Sequence, residues 1–206
     1  MHKKDIVNLI RECITEMTLP SEEDAGIEDD FDSEQMAAAN KTSRNSPAVG
    51  AKAVVPRAVL KIANKNHSIL DFGAGKDAAH ASALRNGGFN VVAYDFGSNV
   101  SDGIHDANAL LNQYDIVYAS NVLNTQGSEA MLLKTLTQIR KSLGNGGKFI
   151  FNFPKSPRYG AYTDYPSNKE ATQYLIRAVT KIFGSKNIQD VKKSIGTTTP
   201  VYVITV

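Results

Sequence analysis

The sequence predicts a doubly wound α/β domain, a sheet with helices on both faces, and two features carry that reading. From residue 48 onward, short continuous apolar runs alternate with amphipathic helical stretches, as expected of strands buried on both faces by crossover helices. The first run, Ile69-Leu70-Asp71-Phe72, ends in a glycine turn, Gly73-Ala74-Gly75, and the next, Val91-Val92-Ala93-Tyr94, ends in Asp95. Strand, glycine turn, helix and a strand with a terminal acid make up one βαβ unit. At 206 residues and 42% apolar, the chain holds one domain with an appendage.

The appendage comes first. Ile6, Leu9, Ile10, Cys13, Ile14 and Met17 recur at helical spacing, and Pro20 stops the run, so residues 1–19 form an N-terminal amphipathic helix. That stripe must cover its own domain, a partner or a second copy. Residues 20–47 carry Glu22-Glu23-Asp24 and Glu28-Asp29-Asp30 with few large apolar side chains, and read as an acidic flexible linker with a short helical turn at 36–40.

The domain spans 48–206. A helix over 50–63 turns Val54, Val55, Ala58, Val59 and Ile62 inward. Strands follow at 68–72, 91–95, 114–119 and 147–153, with helices at 77–86 and 128–142. Ala171, Leu175, Ile176, Val179 and Phe183 mark a helix over 168–183, and the tail closes through 186–195 and 200–206. No internal repeat is present.

The βαβ unit points to a nucleoside-containing ligand. Gly73-Ala74-Gly75-Lys76-Asp77-Ala78 satisfies G-x-G-x-x-G/A, which keeps a dinucleotide such as NAD open. Asp71 tips the balance, because a fixed negative charge before the turn repels a pyrophosphate and favours a cationic ligand. S-adenosylmethionine is such a ligand, with an ammonium, a sulfonium and no phosphate. Asp95, 24 positions on, then accepts hydrogen bonds from the ribose hydroxyls through two acceptor oxygens.

At these residues the chain resembles the class I S-adenosylmethionine-dependent methyltransferases. Asp71-Phe72-Gly73-Ala74-Gly75 is similar to that family's first motif, Tyr94-Asp95 to its second and His105-Asp106-Ala107 to its third. Tyr114-Asp115-Ile116-Val117-Tyr118-Ala119-Ser120-Asn121 is similar to its fourth strand, and Leu143-Gly144-Asn145-Gly146-Gly147-Lys148-Phe149-Ile150 to the turn into its fifth. Lys76 departs from the pattern, since many members have a third glycine there. The resemblance implies a mostly parallel seven-stranded sheet, with two strands after the last helix and the second of them antiparallel at the edge. It also implies cofactor contacts from Asp71, Gly73, Gly75, Asp95, Asp106, Ala107 and Ser120. Asp106 is equally suited to capping a helix begun at 107–111.

The acceptor side is less standard. Asn121, at the end of the fourth strand, and Tyr159 are the expected catalytic residues, and Asn152, Lys155 and Arg158 the expected substrate contacts. Amino-directed DNA methyltransferases carry an Asn/Asp-Pro-Pro-aromatic motif where this chain has Ala119-Ser120-Asn121-Val122. Asn152-Phe153-Pro154 resembles it, but out of order. Cytosine-C5 methylation needs a cysteine nucleophile, and Cys13 lies in the wrong place. No general base stands out.

Charge is unevenly distributed. Residues 1–47 hold five basic and eleven acidic side chains, a net of −6; residues 48–139 are neutral; residues 140–206 hold eleven basic and three acidic, a net of +8. The basic third, with Lys155, Arg158, Tyr159, Tyr162 and Tyr165 interleaved, suits DNA or RNA. A single cysteine excludes an internal disulfide, and no His pair has metal-ligand spacing, so no metal is expected. No run of about 18 apolar residues suits a membrane, and no apolar leader is apparent, so a cytoplasmic protein is expected. The sequence therefore predicts an S-adenosylmethionine-dependent methyltransferase acting on nucleic acid. The alternatives are a non-catalytic S-adenosylmethionine- or nucleic-acid-binding protein of the same fold, and an NAD-dependent oxidoreductase.

Overall fold

The computed structural model describes Ala37 and residues 53–154, 160–184 and 188–206. The expected N-terminal helix, and the acidic linker apart from Ala37, lie outside the described residues. Helix α1 (Val54–Ile62) is followed by strand β1 (Ser68–Phe72), α2 (Ala79–Asn86), β2 (Asn90–Tyr94), β3 (Tyr114–Ala119), α3 (Glu129–Lys141), β4 (Leu143–Asn152), α4 (Asn168–Phe183), β5 (Ile188–Asp190) and β6 (Val201–Thr205). The strands form one sheet in the order β2-β1-β3-β4-β6-β5. β1, β2, β3 and β4 run parallel to one another, and β6 runs antiparallel to both β4 and β5.

Two expectations are corrected. The described residues form six strands, not seven. Between β2 and β3 the chain makes two short 3-10 turns, Gly97–Asn99 and Ala109–Leu111, because Gly97-Ser98-Asn99 and Ser101-Asp102-Gly103 favour turns and offer no apolar run to bury. The last strand is antiparallel as expected, but it does not hold the edge. β6 buries Val201, Val203 and Ile204, so it sits inside the sheet, whereas β5 is three residues long with Gln189 and Asp190 exposed. A short polar strand suits an edge.

Each strand splits its side chains between two cores. On one face Leu70, Phe72, Val117, Phe149 and Phe151 pack with Leu132, Leu136 and Ile139 of α3 and Leu175, Val179 and Phe183 of α4. On the other, Ile69, Ile116, Tyr118 and Ile150 pack with Val55, Ala58 and Val59 of α1 and Ala81 and Leu84 of α2. Strand alternation therefore sends Asp71 to the face that α1 and α2 cover. Ser128 and Ser167 cap α3 and α4, accepting from Met131 and Glu170 amides at 3.1 and 3.2 Å, and Gly184 (φ +63°) ends α4 in the left-handed conformation. Among the described residues no helix is long and apolar enough to cross a membrane.

Candidate functional site

The glycine turn leaves the C-terminal end of β1 and folds back on β2. The amides of Gly73 and Ala74 both donate to the Tyr94 carbonyl at 2.9 Å. Gly73 has φ +77°, and a Cβ there would sit 2.5 Å from Val122 Cγ2, so conformation and space both demand glycine. Gly75, at φ +72°, differs: a Cβ added to it meets nothing within 4 Å. Its side of the turn is open, while its backbone is held. The Gly75 amide donates to Asp95 Oδ2 at 2.6 Å, and its carbonyl accepts from the Ala78 amide at 3.1 Å. Ala78 starts α2 at φ +41° with no side-chain cap.

Asp95 stands at the end of β2, as the sequence predicts, and its carboxylate organises the loop. Besides the Gly75 bond, its Oδ1 accepts from the Phe96 amide at 2.8 Å and from Asn99 Nδ2 at 3.4 Å. Burial raises its pKa, against the lowering effect of the Phe96 and Gly75 amides and Asn99. Three donors leave a carboxylate with spare acceptor capacity, since it offers about four lone-pair sites. Asp106 and Ala107 are exposed. The Asp106 amide donates to Ala93 O at 2.9 Å, and its Oδ1 accepts from the Asn108 amide at 2.8 Å, so the side chain caps the turn that leads into the 3-10 segment.

Asp71 is enclosed at the end of β1. It is 0% exposed, and neither carboxylate oxygen makes a hydrogen bond of normal geometry. Burial pushes its pKa up to about 7; the nearby Tyr118 hydroxyl, Ala81 amide and Arg85 oppose that rise and the Asp95 charge adds to it. The Tyr118 hydroxyl, also buried without a normal hydrogen bond, has its own pKa raised by burial and by Asp71.

On the other side of β1, strand β3 is followed by Ser120 and Asn121. The Ser120 hydroxyl is buried and has no hydrogen-bond partner among the described residues. Asn121 adopts φ +59°, in the left-handed region where Asn is tolerated best after Gly. It is locked to Asn152 at the end of β4: the Asn121 amide donates to Asn152 Oδ1 at 2.8 Å, and Asn152 Nδ2 donates to Asn121 Oδ1 at 2.7 Å. The structure therefore brings the two asparagines together. The segment after them packs against the loop that follows β3. Ala161 N donates to Gln126 O at 3.0 Å, the Tyr162 hydroxyl donates to Leu123 O, and a Cβ on Gly160 would overlap the Gly127 backbone at 2.3 Å. Lys155, Arg158 and Tyr159 lie outside the described residues.

Sequence reasoning passed over three participants. His105 bonds to Gly75 O, Tyr118 flanks Asp71, and Val122 packs on Gly73. The motif position of His105 beside Asp106 was a usable signal. Nothing local marked Tyr118 or Val122.

Comparison with known proteins agrees with this geometry. A family profile described as a methyltransferase domain matches residues 46–184. No curated protein sequence matches. Among solved structures, a TehB-like S-adenosylmethionine-dependent methyltransferase from Corynebacterium glutamicum superposes with a TM-score of 0.54 at 14% identity, covering 82% of this chain and 96% of that one. A S-adenosylmethionine-dependent methyltransferase from Methanosarcina mazei gives 0.47 at 12% identity, over 72% and 94% of the two chains. Human N-acetylserotonin methyltransferase, solved in complex with S-adenosylmethionine, gives 0.43 at 14% identity, over 83% and 54%. With a glycine turn, a strand-end acid and a doubly wound sheet in the order described, and with a profile matched over most of its length, the chain belongs to the class I S-adenosylmethionine-dependent methyltransferase family.

Proposed function

We propose that this protein binds S-adenosylmethionine over the C-terminal ends of β1, β2 and β3 and transfers its methyl group to an oxygen or nitrogen of a nucleic acid. The observation that carries the cofactor reading is the Gly75 turn, open on its ligand side and tied by its amide to the Asp95 carboxylate. The donor set suits the ligand. Asp95 retains acceptor capacity for a ribose diol, Ser120 brings a buried hydroxyl without a partner, and the buried Asp71 carboxyl favours a cation nearby. When bound, the cofactor supplies an electrophilic methyl on a positive sulfur, which leaves as a neutral thioether. The chain's share of the work is alignment and exclusion of water. Asn121, held by Asn152, borders the acceptor position, with Tyr159, Lys155 and Arg158 as further acceptor-side residues.

The net +8 of residues 140–206 supports a polyanionic acceptor. A second reading, a binding protein without turnover, is favoured by the engagement of the Asn121 amide oxygen with Asn152.

Calorimetry with S-adenosylmethionine and, separately, NAD tests the cofactor. Binding of the first alone is expected, and Asp95→Ala weakens it by about 1.5–3 kcal/mol, the range for hydrogen bonds to a charged group. Binding of NAD alone overturns the reading. A low-salt gel shift with DNA and RNA tests the acceptor class, and a complex that dissociates steeply with salt is expected. Methyl-transfer counts from labelled cofactor onto the bound nucleic acid then separate enzyme from binder.

A further inference from the structure

We propose that His105 is a positioning residue that sets the glycine turn for the cofactor without itself contacting it. This inference rests on the S-adenosylmethionine reading above. His105 Nε2 lies 2.9 Å from the Gly75 carbonyl, and its Nδ1 lies 3.0 Å from the Ser101 amide. The carbonyl can only accept and the amide can only donate. The two partners together therefore require a neutral ring with its proton on Nε2. The ring is oriented from its own loop, because the His105 amide donates back to Ser101 O at 3.1 Å and the Ile104 amide does so at 3.2 Å. The next residue anchors this loop to the sheet through the bond from the Asp106 amide to Ala93 O at 2.9 Å.

The consequence falls on Gly75. Its amide is held by Asp95 from the end of β2, and its carbonyl by His105 from the loop that follows. The ligand side of the same residue is the one left open. The Ala78 amide also donates to the Gly75 carbonyl, at the longer distance of 3.1 Å. α2 begins at Ala78 in a left-handed conformation with no side-chain cap, so the helix start does not hold the turn by itself. Glycine reaches φ +72° without strain and is equally free to leave it, so the turn is fixed by its partners, and His105 provides one such constraint from thirty residues away. Losing it frees the Gly75 peptide to rotate, so ligand binding must then include the cost of ordering the turn.

The test compares His105→Ala, His105→Gln and His105→Phe with the wild-type full chain. Gln keeps an N–H that reaches Gly75 O, and Phe keeps the ring's bulk without either nitrogen. S-adenosylmethionine affinity by calorimetry is expected to fall about three- to tenfold in the Ala and Phe variants, the scale of one net hydrogen bond, and to return most of the way in Gln. Thermal melts show which variants are folded. A side chain that only fills space gives the opposite order, with Phe above Gln. The wild-type ring read by ¹⁵N resonance is expected to show a protonated Nε2 and a bare Nδ1. An unchanged affinity in folded His105→Ala, or a proton on Nδ1, overturns the positioning role while leaving the cofactor reading intact. If the wild type binds no S-adenosylmethionine, the cofactor reading falls and takes this role with it.

Discussion

The two faces of the sheet are built on opposite terms. Under α3 and α4 the packing is apolar and aromatic: Phe149 stacks on Phe151 at 4.8 Å and on Phe183 at 5.4 Å, with no ionisable carboxyl among them. Under α1 and α2 the core is just as buried, yet it encloses the Asp71 carboxyl and the Tyr118 hydroxyl, neither with a normal hydrogen bond. An unpaired buried polar group costs stability. That cost sits directly below the glycine turn and beside Asp95. One face is packed from apolar and aromatic side chains, while the other gives up stability to enclose a titratable carboxyl behind the glycine turn.

The largest expected effect is on the aromatic face. Phe149→Ala removes a fully buried ring from both stacks and should cost about 3–5 kcal/mol of unfolding free energy. If the two faces are independent, cofactor affinity of the folded variant does not change. A parallel loss of affinity would break the division of labour.

Asp71→Asn probes the other face and should act in the opposite direction. The native pKa of about 7 lies above the ordinary aspartate value of 3.8, so between those pH values the native state holds a proton that the unfolded chain has released. Stability from this group therefore falls as pH rises from about 4 to about 7, and the full penalty is present above that. Asp71→Asn should stabilise the protein at pH 8 by up to about 4 kcal/mol, with the gain vanishing near pH 4. Denaturant unfolding at both pH values reads this. The same variant should flatten the rise in S-adenosylmethionine affinity expected of the wild type as Asp71 ionises through pH of about 7. A gain that does not depend on pH would show that Asp71 is not the titrating group.

The smallest effect sharpens the boundary between the faces. By strand alternation Asn152 shares its face with Ile150, and its two bonds to Asn121 hold β3 and β4 together at the crevice. Asn152→Ala should cost about 1–3 kcal/mol of stability, since it leaves the Asn121 amide unpaired. If Asn152 positions Asn121, turnover falls more than the Michaelis constant for the acceptor rises. The reverse split would mark Asn152 as a direct substrate contact.

Much of the architecture was legible in local signals. The expected strands at 68–72 and 114–119 and the helix at 168–183 coincide with β1, β3 and α4, because continuous apolar runs and the flanking Ser167 and Gly184 mark their ends. The strand expected at 147–153 begins earlier, at Leu143, because Leu143 pairs with Tyr114 before the register shifts past the glycines. Such pairing is set by a neighbour in space and leaves no trace in the strand's own residues.

By itself the sequence determined the order of strands and helices, the glycines at 73 and 75, and the acid that ends β2. These depend on period, on backbone sterics and on residue type, all of which are local properties. Only the tertiary structure decided the rest. It placed β6 inside the sheet and β5 at its edge, buried Asp71 completely, and joined Asn121 to Asn152 and His105 to Gly75. Each of these outcomes turns on desolvation or on hydrogen bonds between residues far apart in the chain. Their energies exist only once the sheet has assembled and water has been excluded from between its layers.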